Sequence, residues 1–125
     1  MTKERLDLGR RGEALALNKI KSLGYQCVAS NYRCSLGEVD LIARDGDTIV
    51  FIEIKTRKGR SLGYAKEAIH EKKKRQLSKV ALAYLKSNGL LGCKARFDVV
   101  AVQVSAEQEG VDIELVRNAF DLAYE

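Results

Sequence analysis

The sequence has no proline and no tryptophan, and only one histidine, one methionine and three cysteines among 125 residues. Without proline, and without a repeat or a low-complexity tract, nothing marks a linker that would split the chain. A single domain over residues 1–125 is therefore expected, and an apolar content of 46% is enough to build its core. Cys27, Cys34 and Cys93 are odd in number and form no Cys-x-x-Cys pair. That spacing argues against a zinc ribbon and against a closed disulfide framework, so the three read as small reduced hydrophobes. Long hydrophobic runs are missing too: the longest, Val80 to Leu85, is far shorter than the roughly 18 residues a membrane helix needs. The N-terminus carries charges where a signal peptide has its apolar stretch, and cytoplasmic residence with no membrane partner is the expectation.

Charge is abundant and uneven. The formal net charge is +5, yet residues 55–86 hold eleven Lys or Arg against two Glu, while residues 103–125 hold six acids against Arg117 alone. A concentrated basic stretch is suited to anions, and nucleic acid, DNA first, is the expected partner. Clustering of this kind taken alone more often marks a solvated surface. Its neighbour in sequence shifts the balance.

That neighbour is the segment 37–57, in which two stretches of strand-like residues flank Asp45-Gly46-Asp47. The second is apolar on both sides, with Ile49 and Phe51 alternating against Val50, Ile52 and Ile54, as in a buried central strand. Glu53 and Lys55 at its end need a reason, because an unpaired buried carboxylate costs several kcal/mol. A two-residue turn at Asp45-Gly46 would oppose Arg44 to Asp47, Asp40 to Phe51 and Glu38 to Glu53. Asp40, Glu38, Glu53 and Lys55 then share one face, and the like charges of Glu38 and Glu53 call for a cation or a basic side chain between them.

The remaining elements follow from periodicity. Residues 3–22 carry a helical stripe of Leu8, Gly12, Ala16, Ile20 and Leu23, with Thr2 as N-cap and Gly24 as the stop. Tyr25 to Cys34 reads as a first strand. A glycine-containing loop over 58–63 leads to a helix from about Ala65 to Ser87, whose stripe includes Ile69, Leu77, Val80, Ala81, Tyr84 and Leu85, closed by Asn88-Gly89. Phe97 to Val104 reads as another strand, and after a loop over 105–110 Val111 to Val116 reads as a charged edge strand. The expected class is α/β, with an αβββαβ core and a central mixed sheet flanked by helices.

Two carboxylates and a lysine on adjacent strands suit a hydrolytic metal site. Asp40, Glu53 and the Ile54 backbone carbonyl offer hard oxygens to Mg2+ or Mn2+, and Lys55 can orient water and offset charge developing on a phosphate. Arg57, Lys58 and Arg60 follow directly and would meet flanking phosphates. Lys72, Arg75 and Lys79 recur on one side of the second helix, where Lys73 and Lys74 widen the basic surface. Gln76 lies among these bases. His70 reads as a surface residue, and Asp98 as half of a salt bridge, with Lys55 or Arg57 within reach.

Asp40 followed by Glu53-Ile54-Lys55 resembles the PD-(D/E)xK core of the restriction-endonuclease-like superfamily, close to Holliday junction resolvases. Gly9-Arg10-Arg11-Gly12-Glu13, Asn31-Tyr32-Arg33, Gly37 to Ala43, Phe51 to Arg57 and Arg96 to Val100 are similar to the blocks of the YraN-like family of small bacterial nuclease-like proteins. Val39 stands where the superfamily has its proline, which is not a ligand. The resemblance implies a restriction-endonuclease-like domain, a metal-dependent endonuclease acting on DNA, branched DNA included, and a role for Glu13 at the metal site. Gly9 and Gly12 on one side of the helix would let it approach the sheet. A homodimer would suit a junction-resolving enzyme, although no stripe in the sequence marks an interface. Two rivals stay open: a groove that binds nucleic acid without cutting it, and an interaction module whose basic helix meets an acidic partner.

Overall fold

A computed structural model of the chain describes residues 3–58, 69–104 and 111–121, with side chains from Leu8 onward and excluding that of Lys58. Thr2, Arg60, Ala65 and the segments 59–68 and 105–110, where the sequence reading sets loops and the start of the second helix, lie outside the described residues. In chain order the elements are α1 (Lys3–Ser22), β1 (Gln26–Cys34), β2 (Gly37–Asp45), β3 (Thr48–Lys58), α2 (Glu71–Ser87), β4 (Lys94–Val104) and β5 (Val111–Phe120). The five strands form one sheet in the order β1-β2-β3-β4-β5. β3 and β4 are parallel and the other neighbours antiparallel, so the sheet is mixed, as expected of the αβββαβ core, with β5 added at an edge.

The central strand β3 is apolar on both sides because both faces are covered. Ile49 and Phe51 join Leu77, Val80 and Tyr84 of α2 with Phe97 and Val99. Val50 and Ile52 join Ala16 and Ile20 of α1 with Leu41, Val100 and Val102. On α1 the stripe of Gly12, Ala16 and Ile20 is buried, but Leu23 is 41% exposed. The helix stops one residue earlier and the chain leaves it through Gly24 at φ 92°. α2 ends as the sequence suggests, with the Leu90 N–H reaching back to the Leu85 carbonyl at 2.7 Å past Gly89 at φ 67°. β5 continues four residues beyond Val116, because Ala119 and Phe120 are buried and the Phe120 ring stacks on Phe97 at 4.6 Å. No helix among the described residues is long and apolar enough to cross a membrane.

The hairpin register differs from the sequence expectation by two residues. Asp45 pairs with Thr48, and Leu41 with Ile52, so the turn is Gly46-Asp47 and not Asp45-Gly46. Gly46 has φ 62°, while Asp47 stays out of the left-handed region. Glycine thus takes the first central position, as in a type II′ turn; the expected register would have required Asp45 in its place. A shift of two leaves the paired residues 41–45 on the expected faces. It also moves Asp40 from opposite Phe51 to the position facing Glu53.

Candidate active site

β2 and β3 are paired from the turn as far as Leu41 and Ile52, and beyond that point the ladder changes character. The Ile54 N–H donates to the Asp40 side chain, Oδ2, at 2.7 Å. Across β1 and β2 the register passes from Ser30–Leu41 to Tyr32–Val39 without pairing Asn31 to Asp40. Asn31 sits there at φ 52°, a left-handed conformation rarely found inside a strand. Leu41 belongs to the α1-side core and Val39 to the α2-side core, although two positions apart in a regular strand they would share a face. Both strands turn over at Asn31 and Asp40, and the Asp40 carboxylate is left at the seam.

On the α2 side of that seam lies Glu53, only 6% exposed. The Asp40 carboxyl group is near enough to act on that of Glu53 by hydrogen bonding and by charge. Burial first, then the Asp40 contact, pushes the Glu53 carboxyl up to about 8, against the pull of Lys73 and Lys55. The buried Oε2 oxygen of Glu53 has no hydrogen-bond partner among the described residues. Lys73 Nζ stands 3.4 Å from it, close enough for an ion pair and without the geometry of a hydrogen bond. A cation or a basic side chain was expected between Glu38 and Glu53; Glu38 pairs with Arg33 instead, and the base beside Glu53 comes from the facing helix.

On the α1 side the seam opens into a cleft of about 240 Å³ lined by Arg10, Glu13, Asn31, Asp40 and Ile54, among others. Gly12 brings α1 this close: a Cβ there would overlap Thr56 Oγ1 and lie 2.9 Å from Thr56 Cβ and Cγ2. Glu13 thus shares a cleft with Asp40. Among the described residues, however, no three His, Cys, Asp or Glu side chains gather closely enough to hold a metal by themselves.

The other expected residues are more dispersed. Lys55 is half-buried and close enough to Glu53 to act on its ionisation, and Arg57 is exposed one alternation step further on. The side chains of Lys58 and Arg60 lie outside the described residues. Lys72 and Lys79 are exposed on α2 and Arg75 is half-buried. Glu38 does not approach Glu53; it is drawn to Arg33 at 2.9 Å on the surface, its partner across β1 and β2. Gln76 lies against the hairpin, with Nε2 2.8 Å from where a Gly37 Cβ would be. His70 is exposed at the start of α2.

Asp98 has no part in this site. Its fully buried carboxylate accepts from Arg96 Nε at 3.0 Å, Tyr25 Oη at 3.0 Å and the Asn118 N–H at 2.9 Å. Asn118 is the second non-glycine residue at φ 52°, and here the bent backbone delivers its N–H to Asp98. Arg96 also reaches Asp45 at 2.8 Å. Burial opposes the Arg96 charge, but the Asp98 and Asp45 hydrogen bonds outweigh it and hold the guanidinium above its usual range. Burial, then the Asp98 carboxylate, raises the Tyr25 phenol. Lys55 and Arg57 are therefore left without Asp98 as a partner.

Sequence reasoning gave Lys73 only a share of the basic surface, and it gave Arg10 and Asn31 no role at the site. Lys73 did carry a signal, since it stands one helical turn before the buried Leu77 on α2, a charge at an apolar position. Asn31 carried none beyond being a residue type that tolerates the left-handed region.

The pattern of a protein family described as uncharacterised, UPF0102, matches residues 12–102, from within α1 into β4. A UPF0102 protein of Syntrophus aciditrophicus is 46% identical over 121 residues, which cover 97% of this chain and 94% of that one. One from Caldicellulosiruptor saccharolyticus is 45% identical over 114 residues, covering 91% and 97% of the two chains. One from Geotalea uraniireducens is 46% identical over 117 residues, covering 94% and 91%.

Proposed function

We propose that this chain, which belongs to the uncharacterised protein family UPF0102, is a restriction-endonuclease-like enzyme that hydrolyses DNA phosphodiester bonds with Mg2+ or Mn2+. The reading is carried by one observation: Asp40 and Glu53 come together where the β2–β3 ladder opens, with a buried Glu53 oxygen that has no hydrogen-bond partner among the described residues and with Lys55 two residues on. An oxygen sealed from water and lacking a donor is costly unless a proton or a cation satisfies it. Asp40, Glu53 and the Ile54 carbonyl are all hard oxygen donors, the set that Mg2+ and Mn2+ prefer, and Mg2+ in particular keeps several waters when few protein ligands are offered. Two carboxylates are therefore sufficient, and the lack of a three-acid cluster among the described residues is compatible with this cation.

When bound, the cation supplies Lewis acidity at the scissile phosphate. The chain's own residues do the rest. Asp40 is fixed by the Ile54 N–H, which donates to its Oδ2 oxygen. The Lys55 ammonium is close enough to act on the Glu53 carboxyl group and would offset charge developing on the phosphate. Arg57, exposed past Lys55, and Lys72 and Lys79 on α2 offer cations to the flanking backbone. Glu13, which lines the α1-side cleft with Asp40, would orient water near it.

The test is a cleavage panel of duplex, single-stranded, flap and four-way DNA with magnesium, manganese or chelator. Asp40→Asn keeps an acceptor for the Ile54 N–H and Glu53→Gln keeps shape, so both should fold. Each is expected to lower metal-dependent cleavage by about 100-fold or more, and variants as active as the wild type would overturn the reading. The Lys73–Glu53 ion pair favours one rival, a groove that binds nucleic acid without cutting it. Salt-steep DNA binding with no cleavage in either metal would assign that instead.

A further inference from the structure

We propose that Lys73 is a phosphate-binding residue of this site, parked on Glu53 until a divalent cation displaces it. The phosphate half of the inference rests on the nuclease reading; the exchange at Glu53 does not. Lys73 leaves the solvated face of α2 and turns inward, its side chain 31% exposed against a Glu53 side chain 7% exposed. Its neighbour Lys74 is committed elsewhere, to Glu71 at 3.1 Å and over the Phe120 ring at 5.8 Å. The hold of Lys73 on Oε2 is an ion pair at 3.4 Å with no hydrogen bond behind it, so it is a contact that a better-placed cation can replace.

Charge balance argues in the same direction. Glu53, with Asp40 nearby, feels two ammonium groups, Lys73 and Lys55. A divalent cation entering among them adds two positive charges, and the crowding is relieved when one ammonium withdraws. Lys55 is on the same strand as Glu53 and stays with it. Lys73 comes from a separate element on a four-carbon stem with three rotatable donors, and it can swing from the carboxylate to an incoming phosphodiester without moving the backbone. Its place on the apolar stripe of α2 keeps it at the seam either way.

The experiment is a Mn2+ titration followed by electron paramagnetic resonance, in degassed buffer at pH 8.5, on the full chain and on Lys73→Met and Lys73→Arg. Melting curves first establish that each variant is folded. Lys73→Met should bind Mn2+ on the order of tenfold tighter than the wild type, and Lys73→Arg should not. In Ca2+, Lys73→Met should also bind a DNA duplex several-fold more weakly, with Lys73→Arg restoring most of the loss. Equal Mn2+ affinity in wild type and Lys73→Met overturns the exchange and leaves the nuclease reading intact. Mn2+ binding only after Lys73 is removed supports the exchange while arguing against cleavage by the resting protein. No Mn2+ binding in any of the three overturns both. Tighter Mn2+ binding with unchanged DNA affinity overturns the phosphate role alone.

Discussion

Glu53 is nearly sealed from solvent beside a second carboxyl group, and its pKa reaches about 8 where an ordinary glutamate sits at 4.5. A carboxyl group raised in this way favours folding most fully below its unfolded value, and that contribution is lost as pH rises through the folded value. The window therefore runs from about pH 4.5 to about 8. The effect is on the order of a few kcal/mol, since every tenfold gain in proton affinity is worth about 1.4 kcal/mol. In metal-free buffer the wild type should melt several degrees lower at pH 9 than at pH 6 relative to Glu53→Gln, which carries no charge to lose. Parallel melting temperatures for the two proteins across that range would refute the assignment. That Asp40 and Glu53 lie near one another could be read from sequence, because alternation with period two survives an error of two in register, although the expected partners were Phe51 for Asp40 and Glu38 for Glu53. Lys73 could not, because four consecutive bases over 72–75 hide the one that points inward.

Between elements, the close approach of α1 to β3 depends on the missing side chain at Gly12. A methyl there would collide with the branched side chain of Thr56, which has no flexible end to move aside. Gly12→Ala should cost about 1 to 3 kcal/mol by urea denaturation despite its better helix propensity, and Thr56→Ser in the same chain should recover part of it. A neutral or stabilising Gly12→Ala would show that the helix stands further off. Helix and strand placement was largely legible, because buried elements repeat their apolar residues at 3.6 or 2.0 positions. The exceptions have local causes: Leu23 falls past the end of α1, α2 begins at Glu71 and not near Ala65 because His70 is extended with Ile69 buried ahead of the helix, and β5 outruns its alternating pattern because the Phe120 ring stacks on Phe97. The flip of β1 and β2 at Asn31 and Asp40 was not legible, since a single left-handed residue inside a strand leaves no periodic trace.

Across the whole molecule, the network around Asp98 ties distant parts of the chain together. Tyr25 follows α1, Asp45 ends β2, Arg96 and Asp98 belong to β4, and Asn118 to β5. With its carboxylate fully buried, Asp98→Ala would strand a guanidinium, a phenol and a backbone N–H at once. A loss of about 3 to 5 kcal/mol in global stability is expected, with Mn2+ affinity of the folded protein unchanged, because no Asp98 contact reaches Asp40 or Glu53. A drop in metal affinity at constant stability would contradict that separation. The topology also orders events in time. Asp40 and Glu53 lie in one short hairpin, whereas Thr48 meets Lys94 only after α2 has been threaded between them. Local pairings close fast and long crossovers late. On a ribosome, the two acids come face to face in a nascent chain before the lysine that will calm them has left the exit tunnel.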